Sequence, residues 1–146
     1  MIETKKTKIL LVDDDEDTRF MIRDAIEESH LDPDVYEVET GEEALEFLSQ
    51  EGKFSDSPVP ELIFMDLEMP GMGGMNALQK IRAEGEYSTI PVVIMTNLDD
   101  DREKRQAARS GANSYTVKPS DPDQFMKTVK DVTHYWSDVH RRPHEA

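Results

Sequence analysis

No cysteine occurs among the 146 residues, which excludes a disulfide framework, a thiol nucleophile and a thiolate metal site. Basic residues are scarce beside acidic ones, 17 Lys and Arg against 32 Asp and Glu, for a formal net charge of −15. That balance does not suit a nucleic-acid partner, whose phosphates are bound by clustered Lys and Arg. It favours solubility and a partner with a basic patch. Long apolar runs are also missing. Hydrophobic residues make up 36% of the chain, enough for one core, but no stretch approaches the ~20 apolar residues of a membrane-spanning helix. The charged start, Met1 to Lys8, leads into only Ile9-Leu10-Leu11-Val12, too little for a signal peptide. A cytoplasmic protein without membrane contact is expected, with one domain over 1–146, a core at about 7–140 and no output domain.

What is present is a rhythm of short apolar runs alternating with helical patterns. Ile9 to Val12 is followed by an amphipathic stretch from Asp17 to Ser29 with Phe20, Ile22, Ala25 and Ile26, and then by Val35 to Val38. Thr40-Gly41-Glu42-Glu43 reads as a capping box opening a second helix to about Gln50. The segment from Glu51 to Glu61, with Gly52, Pro58 and Pro60, reads as a long loop. Leu62 to Met65 and Pro91 to Met95 are apolar throughout, as central strands covered on both faces are. A turn at Met69 to Gly74 precedes a helix around Asn76 to Ala83. A polar helix from Asp99 to Gly111, thinly apolar at Ala107 and Ala108, precedes a last strand at Ser114 to Val117. Ser120-Asp121-Pro122-Asp123 caps a final helix to about His140 with a stripe of Phe125, Val129, Val132, Trp136 and Val139. Alternating strands and helices predict a parallel sheet.

Such sheets place their ligand site beyond the carboxyl ends of the strands, at the topological switch point. The predicted strands end in Asp13-Asp14, Asp66, Thr96 and Lys118. Asp66 could act as a nucleophile toward phosphorus if charge is neutralised nearby. Asp13, Asp14 and Asp66 form an incomplete oxygen cage suited to Mg2+. The Lys118 ammonium and the Thr96 hydroxyl would hold phosphoryl oxygens.

The set Leu11-Val12-Asp13-Asp14, Asp66-x-x-Met69-Pro70-Gly71, Met95-Thr96 and Val117-Lys118-Pro119 resembles the receiver domain of two-component response regulators over nearly the whole chain. The resemblance implies a flavodoxin-like, doubly wound α/β fold of five parallel strands in order 2-1-3-4-5 with five helices. It implies Asp66 as phosphoacceptor for a sensor histidine kinase. Asp13 and Asp14 would help bind Mg2+, with the backbone carbonyl of Glu68 as a further ligand, while Thr96 and Lys118 contact the phosphoryl group. Thr96 and Tyr115 would then switch the face formed by the fourth helix, last strand and final helix toward an unknown downstream protein, and the Lys118–Pro119 bond would be cis. The long loop, Tyr115-Thr116-Val117-Lys118-Pro119 and the Tyr135-Trp136 ending are similar to single-domain regulators of bacterial and cyanobacterial phytochrome histidine kinases. The chain departs from the general receiver pattern at Asn97, Leu98 and Gly73-Gly74.

Taken singly, each of these residues has a plainer reading. An acidic pair after a strand is commonly an N-cap, Thr96 can satisfy its own backbone, Lys118 can be a surface charge, and Tyr115 can simply pack. His30, His134, His140 and His144 have no ligand spacing and predict no zinc site. The final helical stripe, ending in aromatics, predicts a homodimer. Two other functions compete. Asp66-Leu67-Glu68 mimics the start of a Mg2+-dependent phosphohydrolase of haloacid dehalogenase type, but the acidic pair here precedes the nucleophile. A phosphorylation-independent binding module would lack a site residue, and none is missing.

Overall fold

The structure, a computed structural model, describes residues 7–28, 33–84 and 86–139. His30, His140, His144 and the tail 141–146 lie outside the described residues. Five strands, β1 (Lys8–Val12), β2 (Asp34–Val38), β3 (Leu62–Met65), β4 (Val92–Thr96) and β5 (Ser114–Val117), pair in parallel in the order β2-β1-β3-β4-β5. They alternate with α1 (Glu16–Glu27), α2 (Gly41–Ser49), α3 (Gly73–Ala83), α4 (Asp101–Arg109) and α5 (Pro122–His134). Chain order reverses between β1 and β3, which creates the switch point there. Among the described residues no helix is long and apolar enough to cross a membrane.

Strand side chains alternate between the two faces. Leu10, Val12, Ile63, Met65, Val92 and Ile94 pack under α2, α3 and Ala107 of α4. Ile9, Leu11, Leu62, Phe64, Val93 and Met95 pack under α1 and α5. The central strands are therefore apolar on both sides, and each fully buried Leu or Ile contributes about 1.5–3 kcal/mol.

Helix starts follow the sequence closely. Thr40 Oγ1 accepts from Glu43 N–H at 3.1 Å, while the Glu43 carboxylate reaches one residue beyond the cap, to Glu39 N–H at 2.9 Å. Asp121 caps α5 through Gln124 N–H at 3.0 Å. Gln50 ends α2 at φ 56°, and its side chain holds the following loop at Ser57 O, 2.5 Å away. That loop contains a 3-10 turn (Gly52–Phe54) and is packed down by Phe54 on Phe47, with ring centroids 5.4 Å apart.

Three expectations need correction. Phe20 belongs to no buried stripe and is 67% exposed, because the inward face of α1 carries residues 19, 22, 25 and 26 and position 20 points away from it. Ala108 is exposed and only Ala107 of α4 is buried. Beyond His134 the final helix widens into a π-helical turn (Tyr135–Val139). Just before that turn Thr133 bonds back to Val129 O at 2.7 Å, a bond of the kind that bends helices.

Gly74 is where helix and site meet. A Cβ there would overlap the Asp66 carbonyl oxygen and fall 2.8 Å from Leu67 Cα. Gly74→Ala is expected to cost ~3 kcal/mol in urea unfolding, and an unchanged midpoint would show that the β3–α3 turn gives way freely.

Candidate functional site

Register sets the site. Val12 pairs with Met65, and Met65 with Ile94, so Asp13 and Asp66 leave the sheet side by side. Thr96 pairs with Val117, which places Lys118 just beyond. The four strand ends thus converge on one edge, as the sequence predicts.

Asp13 and Asp66 are buried, and Lys118 lies between them, with Nζ 2.9 Å from Asp13 Oδ2 and 3.1 Å from Asp66 Oδ2. The other oxygen of each aspartate accepts a backbone N–H two residues on, Asp15 N at 2.9 Å and Glu68 N at 3.1 Å. Burial holds the Asp13 carboxyl above its ordinary pKa, although the Asp15 N–H and Lys118 oppose the shift. Burial acts to lower Lys118, but its bonds to Asp13 and the charges of Asp13 and Asp66 outweigh this and raise it. Lys118 is therefore an ammonium at neutral pH.

The Lys118–Pro119 peptide is trans, not cis as the family resemblance implied. Trans is the lower-energy form even before proline, and from it the lysine side chain already spans both carboxylates.

Asp14 is exposed, yet Asp13, Asp14 and Asp66 each offer a carboxylate oxygen within 4.8 Å of the others. Three hard oxygen donors with one open side suit a divalent cation that keeps several waters. The donor set therefore fits Mg2+ or Mn2+, and it would relieve the repulsion of the two buried carboxylates.

Thr96 is fully buried, and its Oγ1 accepts a long bond from Leu98 N–H at 3.4 Å. Tyr115, half-buried on β5, donates its hydroxyl to Leu98 O at 2.8 Å. Burial, then the charges of Glu103 and Asp100, keep its phenol above the ordinary pKa and hence a donor. Leu98 therefore links the two residues that the sequence singles out separately. Asn97 is exposed.

The profile of the response regulator receiver domain matches residues 9–130. The chain belongs to this family. It is a receiver domain of two-component signalling, a class that takes phosphoryl groups from histidine kinases, and it is a signalling protein rather than an enzyme acting on a metabolite. The haloacid dehalogenase and binding-module readings are not favoured. The receiver is 27% identical over 128 residues to the response regulator Rcp1 of Synechocystis, covering 88% of this chain and 87% of that protein. It superposes on the phosphorylated cyanobacterial phytochrome response regulator RcpA with TM-score 0.91 at 27% identity, covering 95% and 99% of the two chains. It also superposes on the Mn2+-bound form of Rcp1 with TM-score 0.88 at 26% identity, covering 94% and 99%.

Sequence reasoning missed three contributors. Glu42 of α2 accepts Met72 N–H at 3.2 Å and so holds the residue at which α3 begins, a helix without a side-chain cap of its own. Leu98 stands out in the sequence by its side chain, but its link between Thr96 and Tyr115 runs through its backbone, which leaves no mark there. Arg19 is buried, and the available signal was a lone basic residue on the inward face of an otherwise apolar helix stripe.

Removing the lysine would leave two buried carboxylates facing each other. Lys118→Met is expected to lower stability by ~3 kcal/mol at neutral pH. In the variant, repulsion between the two unbridged carboxylates favours protonation in the folded state over the unfolded chain, so the deficit shrinks as pH falls. Urea midpoints that fell in parallel with wild type on acidification would contradict this.

Proposed function

We propose that this receiver accepts a phosphoryl group from a histidine kinase onto Asp66, with Mg2+ held by Asp13, Asp14, Asp66 and the Glu68 carbonyl. The observation that carries the reading is the buried Asp13–Lys118–Asp66 bridge at the carboxyl edge of the sheet. An Asp66 oxygen attacks phosphorus, the bond from phosphorus to the donor imidazole breaks, and the imidazole leaves with the electron pair. Bound metal supplies neutralising charge for the phosphoryl oxygens. Lys118 exchanges a carboxylate oxygen for a phosphoryl oxygen, keeping its ammonium on the developing charge. Thr96 turns its hydroxyl from Leu98 N–H to the phosphoryl group, and the loosened Leu98 releases the Tyr115 hydroxyl.

The switched face comprises α4, β5 and α5. α4 is held by little apolar burial, since Ala107 is its one buried residue, so this face is the part of the fold least costly to rearrange. Tyr135, 47% exposed and edge-on to Trp136 at 4.9 Å, extends it. We assign a homodimer to this surface on the strength of those exposed aromatics, and place the receiver downstream of a phytochrome-type histidine kinase, supported by the likeness to the phytochrome response regulator RcpA.

Incubation with acetyl phosphate and Mg2+ is expected to add one phosphoryl group, seen by intact mass, and Asp66→Asn to add none. Labelling that persists in Asp66→Asn or without divalent metal would reject the assignment. Light scattering at micromolar concentration is expected to show a dimer; a monomer with and without phosphorylation would rule out the dimer but leave the phosphoacceptor untouched. Apolar Leu98 near the acyl phosphate is expected to slow water attack, so Leu98→Asn should hasten phosphoryl loss, and an unchanged rate would remove that role.

A further inference from the structure

We propose that Arg19 is a positioning residue for the divalent-metal site, fixing the Asp13–Asp14 peptide so that both carboxylates can converge on one ion; this rests on the metal role given above to Asp13, Asp14 and Asp66. Arg19 lies in the first turn of α1, 7% exposed, and each nitrogen of its guanidinium has a partner. Nη1 donates to Asp13 O at 2.5 Å, Nε donates to Glu37 Oε1 at 3.0 Å, and Nη2 lies 3.5 Å from Glu39 Oε1. Both acidic anchors belong to the β2 side of the sheet, so Arg19 ties the loop after β1 to its neighbouring edge strand.

The bond to Asp13 O reaches further than one atom. That carbonyl shares a rigid planar unit with the N–H of Asp14, so holding it sets the plane from which the Asp14 chain departs. On its other side, the Asp13 N–H donates to Val38 O at 3.2 Å. The backbone of Asp13 is thus gripped before and after the residue, while its carboxylate is held by Asp15 N–H and Lys118. Asp14 is exposed, and the described contacts give its carboxylate no comparable restraint; its direction depends on the peptide that precedes it.

Stability alone does not account for an arginine here. The position lies on the inward face of α1 with Ile22, Ala25 and Ile26, and its acidic partners Glu37 and Glu39 are 31% and 66% exposed, so the ion pairs themselves add little stability. Glu37 and Glu39 also offset the positive charge, so Arg19 supplies geometry beside a cation site without strong repulsion of the ion. Groups that orient metal ligands from behind typically change affinity 10–100-fold when removed.

The test is titration with Mn2+, following free Mn2+ by electron paramagnetic resonance, alongside urea unfolding of each metal-free protein. Arg19→Met is expected to weaken Mn2+ binding about ten-fold or more. Arg19→Lys, which keeps the charge but not the fork, is expected to fall between it and wild type. Arg23→Met is the control, because Arg23 also holds Glu37, at 2.7 Å, and Val35 O, at 3.0 Å, but makes no contact with Asp13; its Mn2+ affinity should stay close to wild type. Unchanged affinity in Arg19→Met, or an equal loss in Arg23→Met, overturns the proposal. Should Arg19→Met not fold, unchanged affinity in Arg19→Lys overturns it equally. Asp13→Asn separates the two levels: if it binds Mn2+ like wild type the metal site itself fails, whereas if it loses binding and Arg19→Met does not, only the role of Arg19 falls.

Discussion

Two carboxylates that face each other across the gap between β1 and β3, only 3% and 6% exposed, are the constraint on which the rest of the structure depends. Their repulsion and desolvation would be expensive if they stood alone. Lys118 bridges them at 2.9 and 3.1 Å, and backbone N–H groups take the remaining oxygens. The bridge requires β5 to sit two strands away from β3 with its carboxyl end at the same edge, so the parallel order β2-β1-β3-β4-β5 is as much a requirement of the charge arrangement as of the hydrophobic core. The same contact is exchangeable. An ammonium that rests on two carboxylates can transfer to phosphoryl oxygens without leaving a buried charge unpaired, provided a divalent cation takes its place between the acids.

Most of the architecture was legible because it depends on local periodicity. Apolar runs in β3 and β4, the Thr40 and Asp121 caps, and polar residues at strand ends all survive into the structure with shifts of one or two residues. The site was legible for a related reason: strand ends of a parallel sheet project to one edge, so chain order alone brings Asp13, Asp66, Thr96 and Lys118 together. What could not be read was set by the rotational phase of a helix or by the backbone. Phe20 fell into an apolar pattern by type, but the phase of α1 is set by Ile22, Ala25 and Ile26, and it turns Phe20 outward while turning Arg19 in. The bonds of Glu42 to Met72 N–H and of Tyr115 to Leu98 O use main-chain atoms, which every residue carries and no sequence pattern marks.

The elements around the site differ in how firmly they are held. The β3–α3 turn is fixed by close contact, since Gly74 lies against the Asp66 carbonyl and Glu42 holds Met72. The start of α1 is fixed by charge, through Arg19 and its two glutamates. At the far end of α4, Arg82 is held by Gly111 O at 2.9 Å and Asn113 Oδ1 at 2.7 Å, anchoring the α4–β5 turn to α3. What remains comparatively free is the β4–α4 loop and the first turn of α4, where the acidic residues Asp99, Asp100, Asp101 and Glu103 contribute no apolar burial.

Under the phosphoacceptor role proposed for Asp66, that distribution says where its signal would go. Movement toward α1 or α3 would break charged or sterically fixed contacts, whereas the β4–α4 loop is secured near the site by one long bond, Leu98 N–H to Thr96 at 3.4 Å, and one ordinary one, Tyr115 to Leu98 O. Both meet at a single residue, so any ligand that claims the Thr96 hydroxyl weakens the hold on Leu98 and with it the anchor of Tyr115. A two-state equilibrium is shifted only by a difference in interaction between the states, and these two bonds supply one of the right size, since ordinary hydrogen bonds contribute about 0.5–1.5 kcal/mol each. On the proposed function, the direction of switching would therefore follow from which contacts around the strand-end site are cheap to give up, and those lie on the side of α4 and β5.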